Sequence, residues 1–243
     1  IIYHNIHLPL VSLSDILHNS VAICEEVNKR CRPLEHFTHY LQQGYYPFGA
    51  EGFATYNQRV ENTVELLLNI ELPQLRKVDI GNIRKLKALL SVLASEVPML
   101  VDTAKLSTLL GISRNTLLAY LEYLDEAKLI RRLYSDDLSV KKMQKPDKIL
   151  MDNCNLLKVL ALKEPNIGTL RETFFCNQLG YQHQVEYSKQ GDFLIDHHIT
   201  FEIGGQAKEG KQVAAVENAY IVADDIEYSY GNKLPIWLFG LLY

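Results

Sequence analysis

Residues 101–134 constrain the fold of this chain more than any other stretch. A short helical run ends at Gly111, a residue that readily adopts the left-handed conformation of a turn. Ser113 can then cap a second helix over residues 114–127, whose leucines recur at helical spacing. A strand-like run follows at residues 129–134. Helix, glycine turn, helix and strand in this order predict a helix-turn-helix with a wing.

The chain differs in character on the two sides of this segment. Up to residue 98, apolar residues recur at helical spacing, and this predicts an all-α region. From residue 145 onward, strands alternate with helices, which predicts an α/β domain. There we expect a helix at residues 213–221, because they are rich in alanine, and a closing apolar strand at residues 235–242.

A second informative stretch lies at residues 191–205, which reads as two short strands joined by a polar turn. Asp192 and Glu202 are each five residues from His197 in that turn. Residues equidistant from a hairpin turn lie opposite each other, so their carboxylates are expected to meet at one edge. Hard divalent cations prefer oxygen ligands, and the pair therefore predicts a metal site formed by Asp192 and Glu202.

Composition limits the classes of partner. The formal net charge is −4, so any contact with nucleic acid needs a local basic patch. No apolar run is long enough to span a membrane, and no secretion signal is present, so we expect no membrane partner. The scattered cysteines form no C-x-x-C pair, which is typical of reduced thiols and predicts a cytoplasmic protein. Because the chain begins without methionine, in a strand-like run, we expect a fragment of a longer protein.

Several stretches together resemble one known family. They are LPLVSLSDIL at residues 8–17, YLQQGYYPF at 40–48, KLSTLLGISRNTL at 105–117, KPDKI at 145–149, GTLRETFF at 168–175, GDF at 191–193 and FEIGG at 201–205. On these residues the chain resembles the C-terminal portion of a large prokaryotic family of AAA+-like ATPases, in which an uncharacterised nuclease-like domain follows the ATPase module. The resemblance covers nearly the whole chain.

The resemblance implies three domains and an absent partner. Residues 1–98 would form a helical lid, residues 99–144 a winged helix-turn-helix, and residues 145–243 an α/β restriction-endonuclease-like domain of the PD-(D/E)xK type. The ATPase core, with its ATP and Mg, would belong to the parent protein upstream. The chain has no G-x-x-x-x-G-K-S/T loop to hold phosphates, so we expect no cofactor in this fragment and no ATP hydrolysis by it alone.

The resemblance also implies candidate catalytic residues. Glu172, Asp192 and Glu202 match the acidic positions of the nuclease pattern, where acids hold a divalent metal. The lysine of that pattern, two residues after Glu202, is replaced by Gly204. Lys208, or Lys211 beyond it, is expected to reach back as a displaced lysine if the domain is active. A Lys208 that points into the acids favours an enzyme, and one that faces solvent favours a binding domain.

The helix-turn-helix suggests DNA contacts. Arg114 and Asn115 begin the second helix, where base edges and phosphates would be met. Arg131 and Arg132 in the strand after it, with Lys141, Lys142 and Lys145 beyond, would add phosphate contacts. Acidic residues later in the helix oppose this, and winged helices also serve as plain packing modules.

Three functions therefore stay open. The first is a non-catalytic C-terminal region of an AAA+-family ATPase that serves recognition and coupling and contacts DNA or a protein partner. The alternative is a metal-dependent nuclease with a displaced lysine. A structural oligomerisation module is the third.

Overall fold

The computed structural model describes residues 6–8, 10–52, 54–76, 80–135 and 145–242. The chain divides into two compact units, Ile1–Gln42 with Phe174–Tyr243 and Gln43–Thr173. Helices and two sheets are both present, so the mixed α/β class is confirmed. The division into three domains stays a prediction. Within the described ranges, every helix is too short or too polar to cross a membrane.

The elements follow one another from the N-terminus. The helices are α1 (Leu13–Arg30), α2 (Pro33–Gln43), α3 (Tyr56–Leu66), α4 (Leu72–Arg76), α5 (Ile80–Glu96), α6 (Thr103–Leu110), α7 (Arg114–Glu126), α8 (Cys154–Leu160) and α9 (Ile167–Leu179). The strands are β1 (Met99–Leu100), β2 (Ile130–Leu133), β3 (Lys148–Met151), β4 (Val185–Tyr187), β5 (Phe193–Ile195), β6 (Ile199–Gly204), β7 (Ala219–Ala223) and β8 (Lys233–Pro235). Short 3-10 helices lie at Pro47–Glu51 and Ile236–Leu241, and a π-helical turn at Leu67–Glu71.

The two helices expected around Gly111 are confirmed in the unit of residues 43–173. The Asp102 side chain caps α6 by accepting the N–H groups of its first turn. Gly111 ends α6 with φ 58° and ψ 45°, a left-handed conformation that glycine adopts without steric cost. Ser113 then caps α7 by accepting the N–H of Thr116. After α7 comes β2, which pairs with β3 in an antiparallel sheet of order β1-β3-β2.

A buried polar centre ties the beginning of this unit to α8. The Asn155 side-chain oxygen accepts the Tyr56 hydroxyl at 2.5 Å and the Tyr45 N–H at 2.8 Å. Asn153 caps α8 by accepting two of its N–H groups. Tyr56 and Asn155 are at most 1% exposed. Buried polar groups must be paired, so these contacts specify one packing of α8 against residues 45–56.

The unit of residues 1–42 and 174–243 is built on a five-stranded sheet of order β4-β5-β6-β7-β8. The first three strands form an antiparallel meander, and β7 and β8 then run parallel to β6. Phe175 on α9 packs against Phe193, Phe201 and Phe239 with ring centroids 4.8–5.4 Å apart. This aromatic cluster covers one face of the sheet and fixes the hairpin of β5 and β6.

Two predictions in this unit are wrong. The expected helix at residues 213–221 is a series of turns followed by β7, because Val222 and Ala223 are buried in pairing with β6 and that packing outweighs alanine propensity. The expected strand at residues 235–242 gives way after β8 to a 3-10 helix over Ile236–Leu241. A continuous apolar run fits a buried helix as well as a buried strand, so its periodicity does not distinguish them.

The polar centre provides a test of the packing. Replacing Asn155 with Ala leaves the Tyr56 hydroxyl and the Tyr45 N–H without this acceptor, and we expect a loss of about 2–4 kcal/mol in the free energy of unfolding. Urea denaturation measures it. Asn62→Ala is the matched control, because Asn62 is exposed and its loss should cost under about 0.5 kcal/mol. Equal costs for the two variants would contradict the role of the polar centre.

Candidate functional site

The regular pairing of β5 with β6 ends next to Asp192. Phe193 pairs with Phe201, and the Asp192 N–H also donates to the Phe201 carbonyl at 2.9 Å. Residues 192 and 193 thus both face Phe201, as at a β-bulge, and the pairs of the register do not include Asp192 with Glu202. The expected opposition of the two acids is therefore off by one residue, although both lie at the open end of the hairpin.

Glu202 is neutralised by Lys208. The Glu202 side chain is 1% exposed, and its Oε1 lies 2.8 Å from the ammonium of Lys208, whose side chain is 34% exposed. A buried carboxylate is costly unless it is paired, so Lys208 supplies the countercharge that the fold needs. The second oxygen, Oε2, is also buried and has no hydrogen-bond partner within the described ranges of the chain. This oxygen is thus unpaired within the described residues and shielded from solvent.

Gly204 makes room for Lys208. A Cβ atom at residue 204 would lie 2.7 Å from Cγ of Lys208 and 2.8 Å from its Cβ and Cδ. These distances are well inside van der Waals contact. The stem of Lys208 therefore lies in the space that a side chain at position 204 would enter. The glycine in place of the expected lysine and the lysine four residues later are two parts of one arrangement.

The remaining acids of the predicted site have other contacts. One oxygen of Asp192 accepts the Ile203 N–H at 2.6 Å and so joins the start of β5 to the end of β6. Glu172 belongs to the other compact unit, where its carboxylate pairs with Lys148 at 2.5 Å. Lys211 pairs with Glu209 at 2.6 Å. Among the residues that the structure describes, no three or more His, Cys, Asp or Glu side chains are grouped to hold a metal ion.

The tip of the hairpin holds two further contacts, each between a histidine and a carboxylate. Asp196 and His197 adopt left-handed φ values of 50° and 66°, which are uncommon for residues other than glycine. Asp196 accepts from His183 at 2.7 Å, and the His197 ring lies 2.9 Å from the Glu186 carboxylate. Burial opposes ionisation of Asp196, but the hydrogen bonds from His183 and the Gln184 N–H outweigh it and lower the pKa of Asp196. These contacts hold the turn that sets the hairpin register.

The predicted DNA-contacting residues are in two different environments. Arg114 and Asn115 are exposed in the first turn of α7. Arg131 lies 3.0 Å from the buried Asp152, and Arg132 lies 3.1 Å from Asp125. Both guanidinium groups therefore make ion pairs within the chain. Of the lysines beyond them, Lys141 and Lys142 lie outside the described residues.

Asp152 was not among the site residues predicted from the sequence. Burial raises the pKa of Asp152, and the neighbouring Arg131 partly offsets the effect. Its partner lies some twenty positions earlier in the chain, on the adjacent strand, so only knowledge of the β2–β3 pairing reveals the contact. The contacts of Lys233 with residues 206 and 208 were not predicted for the same reason.

The Lys208–Glu202 pair can be tested through stability. Lys208→Met removes the countercharge of a buried acid, and we expect a loss of about 1–3 kcal/mol at pH 7, less than for a fully buried pair because a third of Lys208 is exposed. Chemical denaturation measures it. Lys211→Met, which removes an exposed pair, should cost under about 0.5 kcal/mol. The Lys208→Met loss should shrink in a Glu202→Gln background, and an undiminished loss would show that the two groups are not coupled.

Comparison with known proteins concerns mainly the unit that contains α7. A family model described as "Domain of unknown function (DUF8612)" matches residues 34–166. The match spans more than half of the 243 residues and contains Arg114, Asn115, Arg131 and Arg132, but ends before the β5–β6 hairpin. No curated protein and no solved structure matches the chain. The extent of the family match shows that the chain belongs to the DUF8612 family of domains of unknown function.

Proposed function

We propose that this chain is the C-terminal region of an AAA+-like ATPase and serves there in recognition and coupling, with no catalytic activity of its own. The observation that supports it best is that two of the three acids of the nuclease pattern have other partners within the chain. Glu172 pairs with Lys148, the Ile203 N–H donates to Asp192, and among the described residues no three acids are grouped to hold a metal ion. Carboxylates used in this way stabilise the fold, which is the role expected in a domain that only binds.

The arrangement around α6 and α7 supports a winged helix within this proposal. Two helices joined by Gly111 are followed by β2 and β3, and β1 completes the sheet beside β3. The paired strands β2 and β3 would belong to the wing. In the same way, a hairpin that carries Asp192 and Glu202 at its open end supports descent from a PD-(D/E)xK nuclease.

The surface proposed for recognition is the first turn of α7. Arg114 and Asn115 are exposed there, at a helix N-terminus, where side chains and N–H groups meet phosphates or acidic groups. Arg131 and Arg132 contribute less, because each is paired with an aspartate of its own unit. The partner would be DNA or an acidic protein surface. ATP and Mg would bind in the parent protein's upstream core.

A second candidate function is a metal-dependent nuclease with a displaced lysine. The specific observation in its favour is that Lys208 points at Glu202, as the enzyme hypothesis requires, and that Oε2 of Glu202 has no hydrogen-bond partner among the described residues. In this candidate Asp192 and Glu202 would hold a divalent ion, which when bound activates water for attack on a phosphodiester. Lys208 would stabilise the charge that develops on the phosphate.

DNA cleavage decides between the two candidates. With Mg²⁺ or Mn²⁺ present, the non-catalytic proposal predicts no cleavage of plasmid or linear DNA above the level of buffer, as followed on agarose gels. The nuclease candidate predicts cleavage that is abolished in Glu202→Gln and falls about 100-fold in Lys208→Met, while Lys211→Met keeps wild-type activity. Metal-dependent cleavage with this pattern of variants would replace the non-catalytic proposal.

DNA binding tests the recognition surface. If α7 contacts phosphates, Arg114→Ala should weaken binding about threefold to tenfold and lower the salt slope by about one. Fluorescence anisotropy of labelled duplexes at several salt concentrations measures both. Arg84→Ala, an exposed arginine on α5, is the charge-matched control and should leave binding unchanged. Binding without a salt slope, or unaffected by Arg114→Ala, would reject DNA as the partner of this surface.

A further inference from the structure

We propose that Lys233 is a positioning residue that fixes the loop of residues 204–208 and thereby directs the Lys208 ammonium to Glu202. The inference rests on the second candidate function, in which Lys208 and Glu202 belong to the active site. Lys233 begins β8, far from Lys208 in the chain. Within the described parts of the chain its ammonium forms no ion pair with an acid, and it donates to two loop carbonyls, those of Gln206 at 2.5 Å and Lys208 at 3.0 Å.

The loop has few other constraints. Between β6 and residue 208 it forms no helix or strand, and its backbone bonds include Lys208 N–H to Gly205 carbonyl and Asp224 N–H to Gly204 carbonyl, each 3.0 Å. Two carbonyls turned toward one half-buried ammonium add a charge-assisted clamp at the middle of the turn. Lys233 therefore holds the backbone from which the Lys208 side chain departs.

The chain just beyond this loop, at Gly210, is also held next to Lys233. Gly210 has a left-handed φ of 67°, and a Cβ atom there would lie 2.3 Å from the Ile221 side chain. Ile221 on β7 is the register partner of Lys233 on β8. Ile221 and Lys233 are thus neighbours on the parallel strands β7 and β8. Ile221 contacts Gly210, and Lys233 forms hydrogen bonds with the carbonyls of the loop.

This arrangement explains how a flexible side chain reaches a defined position. A free lysine loses substantial rotamer entropy when it is ordered, and a moving loop would add backbone entropy. A loop fixed by Lys233, with space left by Gly204, restricts Lys208 before the ion pair forms. The two lysines have separate roles, since Lys208 contacts the acid and Lys233 contacts only the backbone that bears Lys208.

The proposal is tested by the chemical reactivity of individual amines. We expect Lys208 in the full chain to be acylated about tenfold more slowly than Lys211, which is 84% exposed, as quantified by peptide mass spectrometry. In Lys233→Met the Lys208 rate should rise about fivefold or more toward that of Lys211. Lys233→Arg, which keeps a cation with several N–H donors, should restore the protection. Thermal melting of each variant establishes that it is folded.

An unchanged Lys208 rate in folded Lys233→Met would overturn the proposal, and so would a rate that rises equally in Lys233→Arg. If Lys233→Met does not fold, Lys233→Gln, which keeps an N–H donor without the charge, provides the same comparison with Lys233→Arg. The readout is the exposure of one amine and requires neither DNA nor a metal. Failure of the DNA experiments would therefore leave this result standing, and failure here would leave those experiments unaffected.

Discussion

The charge of Glu202 is the constraint around which the β5–β6 hairpin and its loop are built. Five successive residues of β6 are buried, and Glu202 is among them. A carboxylate in such a place must be paired with a cation, protonated or bound to a ligand. The chain solves this with Lys208, whose ammonium lies against Oε1. Lys208 must fold back over β6 to reach this acid. The glycine at position 204 leaves space for its side chain, and Lys233 holds the loop that carries it.

The same pair links the two proposed functions. A lysine beside a buried acid neutralises the acid in a domain that only binds, and it would stabilise phosphate charge in an enzyme. The difference lies in the neighbouring groups. Asp192 is engaged by a backbone N–H, and Glu172 pairs with Lys148 in the other unit, which favours the binding domain. The nuclease candidate depends on Oε2 of Glu202, which has no hydrogen-bond partner among the described residues.

Local signals in the sequence predicted local structure well. Gly111 and Ser113 determine where α6 ends and α7 begins through turn and capping chemistry within a few residues, and both roles are confirmed. Counting outward from the hairpin turn placed Asp192 opposite Glu202, whereas the Asp192 N–H bonds to the Phe201 carbonyl, one residue earlier. Contacts distant in sequence were not predictable in this way. The ion pair of Arg131 with Asp152 and the clamp by Lys233 depend on which strands and loops become neighbours. The incorrect prediction of a helix at residues 213–221 has the same origin, because pairing with β6 decides the conformation of the end of this stretch.

The most direct test of this account is the state of the Lys208 ammonium in solution. A ¹H–¹⁵N NMR spectrum of the lysine side-chain ammonium groups, recorded at neutral pH and low temperature, resolves those that are held in ion pairs, because exposed ones exchange rapidly with water. The account predicts a persistent signal from Lys208 that disappears in Glu202→Gln, while the signal from Lys233 remains. A Lys208 ammonium that exchanges as fast as that of Lys211, or a signal that Glu202→Gln leaves unchanged, would contradict it.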